Sequence, residues 1–165
     1  MKKYINKKIL IGSQAIKYYF SDFPREPKDY DYIIDGEKPE WTPSSLRVEY
    51  HRNPILEEFN GNILPPTALY TLKISHMFWD IKWDKHMFDV VFLTNKGCQL
   101  DHKLFWKLYA YWEEKHGKRK TSDLSKSTED FFNNALKKYN HDYLHTLINP
   151  NPLYKLILEN DGTVG

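Results

Sequence analysis

The chain has 165 residues, with 24 basic and 22 acidic side chains giving a net charge of +2, and a single cysteine. That length suits one domain and argues against two large independent ones, while the small net charge excludes a global basic field for nucleic acid. One cysteine excludes an internal disulfide, and the absence of a signal-like segment or a long apolar run makes the expected location cytoplasmic, with no membrane partner.

Met1 to Lys8 is a basic, polar lead-in. Lys8-Ile9-Leu10-Ile11 then predicts a short strand that breaks at Gly12-Ser13, and Gln14 to Phe20 carries apolar residues at helical spacing. Gly12 lets a ligand come close to the backbone. Ser13 is expected to cap the helix, whose first N–H groups suit a phosphate. An ordinary strand-to-helix turn has the same composition. The next apolar run, Asp29-Tyr30-Asp31-Tyr32-Ile33-Ile34, predicts a strand with Asp29 and Asp31 on one face and the tyrosines on the other. Adjacent carboxylates repel unless a cation lies between them, and hard oxygen ligands suit Mg²⁺. Two surface acids on a solvated edge strand are the plainer alternative.

A Gly-Ser turn after a strand, a helix, a basic loop with Arg25 and Lys28, and then Asp-x-Asp running into apolar residues resembles the nucleotidyltransferase superfamily in its minimal, DNA polymerase β-like form. The likeness covers about the first third of the chain. It implies that Gly12, Ser13, Arg25 and Lys28 bind the nucleotide and that Asp29 and Asp31 are catalytic and hold Mg²⁺.

Asp35 to Ser45 is rich in turn formers and leads to a strand at Leu46–Arg52, LRVEYHR, which alternates well enough to be half-buried. Asn53 to Pro66 reads as an irregular connection around one short helical turn. Thr67–Ile81 then predicts a helix that puts Lys73 and His76 on one face, a turn apart. Lys85 to Thr94 contains an apolar run too short for periodicity to decide between strand and helix.

Two branches of the superfamily bear on this region. In polymerase-like members a third carboxylate comes from a strand reading hydrophobic-Asp-hydrophobic, which Phe88-Asp89-Val90 fits. The order and spacing of Leu69 to Gly97 is more similar to the type IV abortive-infection toxins. That likeness implies a triphosphate-contacting, catalytic role for Lys73 and a third acid at Asp89, although Lys85-His86 stand where the toxins carry Arg-Asp. A solvent-facing Lys73 is the alternative. On either reading Lys73→Met is expected to leave stability nearly unchanged.

Leu100–His116 is the clearest helix, with Asp101 as its cap, Gly117 as its end, and Leu104, Phe105, Leu108, Tyr111 and Trp112 as a packing face. Lys115 to Lys120 is the densest basic cluster, a solvated loop or a phosphate contact. Thr128 to Ile148 predicts a long helix in which His141 and His145, four apart, share a face with Asp142 beside them. Such a trio suits Zn²⁺ or a similar ion, and the helix dipole alone also favours histidines there. Leu153 to Leu158 is expected to pack back on the body.

The expectation is therefore an α+β domain, with a nucleotidyltransferase-like core over 1–97 and a helical part over 98–165. Its expected activity is Mg²⁺-dependent transfer of a nucleoside monophosphate from an NTP to a hydroxyl on RNA, protein or a small molecule. Two alternatives are a nucleotide- or nucleic-acid-binding module that has lost turnover, and a metal-dependent nuclease or phosphohydrolase built on His141, Asp142 and His145.

Overall fold

The computed structural model describes residues 7–24, 26–39, 47–77, 79 and 83–118. Over these residues the fold is α+β: a small mixed sheet packed by helices. Its elements in chain order are strand β1 (Lys8–Ile11), helix α1 (Gly12–Tyr19), strands β2 (Tyr30–Ile34) and β3 (Val48–His51), a 3-10 turn at Leu56–Glu58, and helices α2 (Pro66–Met77), α3 (Trp83–Asn95) and α4 (His102–His116). None of these helices is long and apolar enough to cross a membrane.

The sheet order is β1-β2-β3, with β1 antiparallel and β3 parallel to β2. Register pairs Ile9 with Ile33 and Ile11 with Asp31, then Asp31 with Glu49 and Ile33 with His51. Because side chains alternate along a strand and directly paired residues share a face, these six lie on one side of the sheet. Ile9 and Ile33 are buried in the main core, so that side faces the helices and Asp31 and Glu49 sit toward its end. The opposite side carries Tyr32 and Tyr50, stacked with ring centroids 6.2 Å apart, and the Lys8 ammonium 4.3 Å above the Tyr32 ring.

Helix α1 starts directly at the end of β1. Its N-cap is Ile11, with no side-chain capping bond, and Ser13 is buried in the first turn, so the expected Ser13 cap is not formed. Asn53 organises the 3-10 turn instead: its Oδ1 accepts from the N–H groups of Ile55 (3.0 Å) and Leu56 (3.2 Å), and its own N–H donates to Glu57 (3.0 Å).

Pro66 begins α2, where a missing N–H costs nothing. The helix spans Pro66–Met77 and Trp79 lies in a turn, while Ile81, the end expected from sequence, lies outside the described residues. It is enclosed on every side, with every residue from Ala68 to Ser75 buried. That enclosure explains why its hydroxyls turn inward on the backbone, Thr71 donating to the Thr67 carbonyl (2.8 Å) and Ser75 to that of Leu72 (2.6 Å).

The ambiguous run after Lys85 is the helix α3. Phe88 to Leu93 are all buried, a helix covered all round, and this is the case in which periodicity carries no signal. The chain leaves α3 through Gly97 at φ +86, with the Cys98 N–H returning to the Leu93 carbonyl at 3.0 Å. In α4, Asp101 accepts from the Leu104 N–H (3.0 Å) and Gly117 terminates the helix, both as expected. Leu104, Phe105 and Leu108 enter the same core as α2 and α3, and the Trp79 indole N–H donates to the Gly117 carbonyl at 2.8 Å.

Candidate metal and nucleotide site

The β1–α1 junction, β2 and β3 converge on Asp31. Parallel pairing sets Glu49 directly beside it, and His51 follows two residues later on the same face. His51 Nε2 lies 3.0 Å from Asp31 Oδ1 and 3.7 Å from Glu49 Oε2. One ligand atom from each of the three residues falls within 4.8 Å of the other two. Asp31 is part-buried, whereas Glu49 keeps 61% of its side chain exposed and His51 42%, so the cluster opens to solvent on the β3 side.

Gly12 closes the other side. It adopts φ +72, and a Cβ built there would stand 3.0 Å from Asp31 Oδ2. Any side chain at this position would press on the carboxylate, so glycine is required both by backbone conformation and by this close approach. Burial pushes the Asp31 carboxyl up. The His51 hydrogen bond and charge, a hydrogen bond with Glu49 and the field of Lys85 outweigh that and leave it below the ordinary carboxylate value.

Neither Asp29 nor Asp89 joins the Asp31–Glu49–His51 cluster. Asp29 lies one residue before β2, exposed, and is not a member of the Asp31–Glu49–His51 cluster. The residue registered beside Asp31 is Glu49, across the β2–β3 pair. Lys28 is exposed ahead of β2, and Arg25 lies outside the described residues. Lys73 and Asp89 hold each other inside the α2–α3 interface, Nζ to Oδ2 at 2.8 Å, with side chains 5% and 0% exposed. Lys73 is therefore not a surface lysine, and Asp89 is not a member of the cluster around Asp31.

From Lys73 a polar chain runs on through the interface. The ammonium is 3.5 Å from His86 Nδ1, and His86 Nε2 is 3.2 Å from His76 Nδ1. An ammonium only donates, so His86 Nδ1 accepts and its Nε2–H donates to His76. His76 packs edge-on against Trp112, whose indole N–H donates to Ser75 Oγ at 3.0 Å.

Glu49 and His51 were absent from the sequence-derived site. The signal was present: Val48-Glu49-Tyr50 reads hydrophobic-acid-hydrophobic, the same pattern that pointed to Asp89. His141, Asp142 and His145 lie outside the described residues, as do Arg119 and Lys120 of the basic cluster. Lys115, in the last turn of α4, lies 5.9 Å from the Tyr111 ring centre and 5.7 Å from that of Trp112. A groove of about 350 Å³ between the 3-10 turn and α4, with Phe59, Lys103 and Lys107 on its walls, shares no residue with the cluster.

No curated protein and no solved structure matches the chain. A family model described as Domain of unknown function (DUF7275) matches residues 68–165, from α2 to the C-terminus, across the boundary drawn at residue 97 from sequence. That match spans more than half of the chain, and the protein belongs to this family.

Proposed function

We propose that the protein is a divalent-cation-dependent nucleotidyltransferase that moves a nucleoside monophosphate from an NTP to a hydroxyl acceptor on RNA, protein or a small molecule. The observation that carries this reading is the pairing of Asp31 with Glu49 across β2 and β3, backed by the side-chain-free Gly12 at the start of α1. Their carboxylate oxygens lie within 4.8 Å of each other, close enough for small side-chain adjustments to bring both onto one cation, whose adjacent donors at about 2.1 Å stand about 3 Å apart. The space that a Cβ at Gly12 would fill stays open beside Asp31 Oδ2.

Asp31 and Glu49 would hold Mg²⁺ or a similar ion, which when bound neutralises charge on the triphosphate. The backbone N–H groups at Gly12 and Ser13, in the first turn of α1, would bind the phosphates, and Lys85 adds positive field at Asp31. The acceptor oxygen forms a bond to the α-phosphorus as the bond to pyrophosphate breaks, and the hydroxyl proton leaves to a carboxylate of the cluster. Positioning and charge do most of the work. Lys73 and Asp89, bound to each other in the interior, have a structural role on this reading.

A second reading, an NTP-binding module without turnover, is favoured by the position of Asp29 outside the cluster. Incubating the full chain with labelled NTPs, Mg²⁺ or Mn²⁺, and mixed RNA and protein separates the two. Labelled product that disappears in Asp31→Asn/Glu49→Gln supports the transferase, and NTP binding without product supports the module. Product formation by the folded double variant would refute the site.

A further inference from the structure

We infer that His51 is a ligand of the cation held by Asp31 and Glu49, and that its imidazole turns the site toward a first-row transition ion such as Mn²⁺ over Mg²⁺. The inference rests on the cation site proposed above and names the ion that site selects.

Strand β3 supplies both of the added donors. Glu49 and His51 are two residues apart and so lie on one face, and the parallel register sets that face beside Asp31. His51 is registered opposite Ile33, yet its ring leans back along the strand, bringing Nε2 3.0 Å from Asp31 Oδ1 and 3.7 Å from Glu49 Oε2. Donors on one six-coordinate ion with bonds near 2.1 Å stand about 3 Å apart when adjacent and about 4.2 Å when opposite. The two His51 separations fall in that range and one ligand atom from each residue lies within 4.8 Å of the others, so side-chain adjustment can bring the three to one ion while the strands keep their register. An ion takes the place of the Nε2 proton that His51 shares with Asp31 Oδ1 in the ion-free site: with the ring proton on Nδ1, the neutral imidazole presents its Nε2 lone pair to the same point.

Two features mark this as a ligand arrangement. Gly12 keeps clear the space next to Asp31 Oδ2, which a Cβ would crowd at 3.0 Å. Solvent access through the half-exposed Glu49 and His51 leaves coordination positions for phosphate oxygens and water. The donor set then selects the ion. Carboxylates serve Mg²⁺ and Mn²⁺ alike, but an imidazole nitrogen is a poor ligand for Mg²⁺ and a good one for transition ions.

The test uses the full chain without nucleotide and reads binding. Titration with Mn²⁺, followed by the loss of the free-ion electron paramagnetic resonance signal, gives affinity and stoichiometry. Pulsed measurements on the bound ion report ¹⁴N coupling from imidazole. The expected result is one bound Mn²⁺ with ¹⁴N coupling, displaced by Mg²⁺ only at about tenfold or greater excess. His51→Gln should retain weaker Mn²⁺ binding through Asp31 and Glu49 while losing both the ¹⁴N coupling and the preference. His51→Asp, which restores an oxygen donor, should bind Mn²⁺ and Mg²⁺ almost equally and answers the question if the glutamine variant fails to fold. Bound Mn²⁺ without ¹⁴N coupling, or coupling that persists in folded His51→Gln, overturns the role of His51 and leaves the carboxylate site standing. No Mn²⁺ binding by the wild type, or binding unchanged in Asp31→Asn/Glu49→Gln, overturns both.

Discussion

Replacing Lys73 with methionine tests the interior of the helical layer. The Lys73 ammonium sits 2.8 Å from Asp89 Oδ2, and both side chains are almost fully enclosed, at 5% and 0% exposure. Methionine fills most of the lysine stem but removes the charge from beside a buried carboxylate and from His86 Nδ1. Breaking a buried pair by deleting one partner costs about 3–5 kcal/mol, because the remaining charge keeps its desolvation penalty and loses its compensation. With a urea slope of about 2 kcal/mol/M, typical for a small domain, the unfolding midpoint should fall by roughly 1.5–2.5 M. Urea titration followed by tryptophan fluorescence reads this directly, since Trp112 and Trp79 belong to the same layer. Adding Asp89→Leu should recover much of the loss, because a buried pair replaced by apolar side chains of similar size is often neutral or stabilising. An unchanged midpoint in Lys73→Met, or no recovery in the double variant, would refute the account of the pair as a structural unit.

Gly12→Ala should destabilise the protein by about 1–2 kcal/mol from the left-handed backbone alone and also weaken Mn²⁺ binding by pressing on Asp31, measured by urea titration and metal titration. Asn53→Ala should cost about 1 kcal/mol, because Ile55 and Leu56 lose the acceptor for their N–H groups; a thermal shift below 1 °C would contradict this. The folded Asp31 carboxyl titrates below its ordinary value of 3.8, so its contribution to stability is present above that value and is lost as pH falls through the lower folded one. Asp31→Asn should therefore flatten the stability–pH profile of the metal-free protein in that acidic window, and an unchanged profile would contradict the shift.

Sequence carried the local elements well where local chemistry sets them. β1 follows from a β-branched run, and α4 from Asp101 and Gly117 at its ends. Asp31 and Gly12 were legible because strand alternation and glycine freedom are properties of a few neighbouring residues. Glu49 carried a local signal in the run Val48-Glu49-Tyr50, but its meeting and that of His51 with Asp31 depend on a register between strands separated by a turn-rich connection, which local spacing does not encode. The burial of Lys73 against Asp89 was not legible for a related reason. A lysine on a helix defaults to the surface, and only the stacking of α2, α3 and α4 on one another turns that position inward.

The parallel ladder between β2 and β3 has a thermodynamic consequence for β3. This strand has four residues, and within the described sheet it is bonded only to β2, so its local opening should cost far less than unfolding of the core. A cation gripped by Asp31 on one strand and by Glu49 and His51 on the other acts as a clasp across that ladder. Occupancy then adds to the opening free energy by mass action, about 2.7 kcal/mol at a hundredfold excess over the dissociation constant. Amide exchange at Tyr50 and His51 would slow by roughly a hundredfold on loading while the buried amides of α2 stay unchanged, so the edge of the sheet would report ligand occupancy.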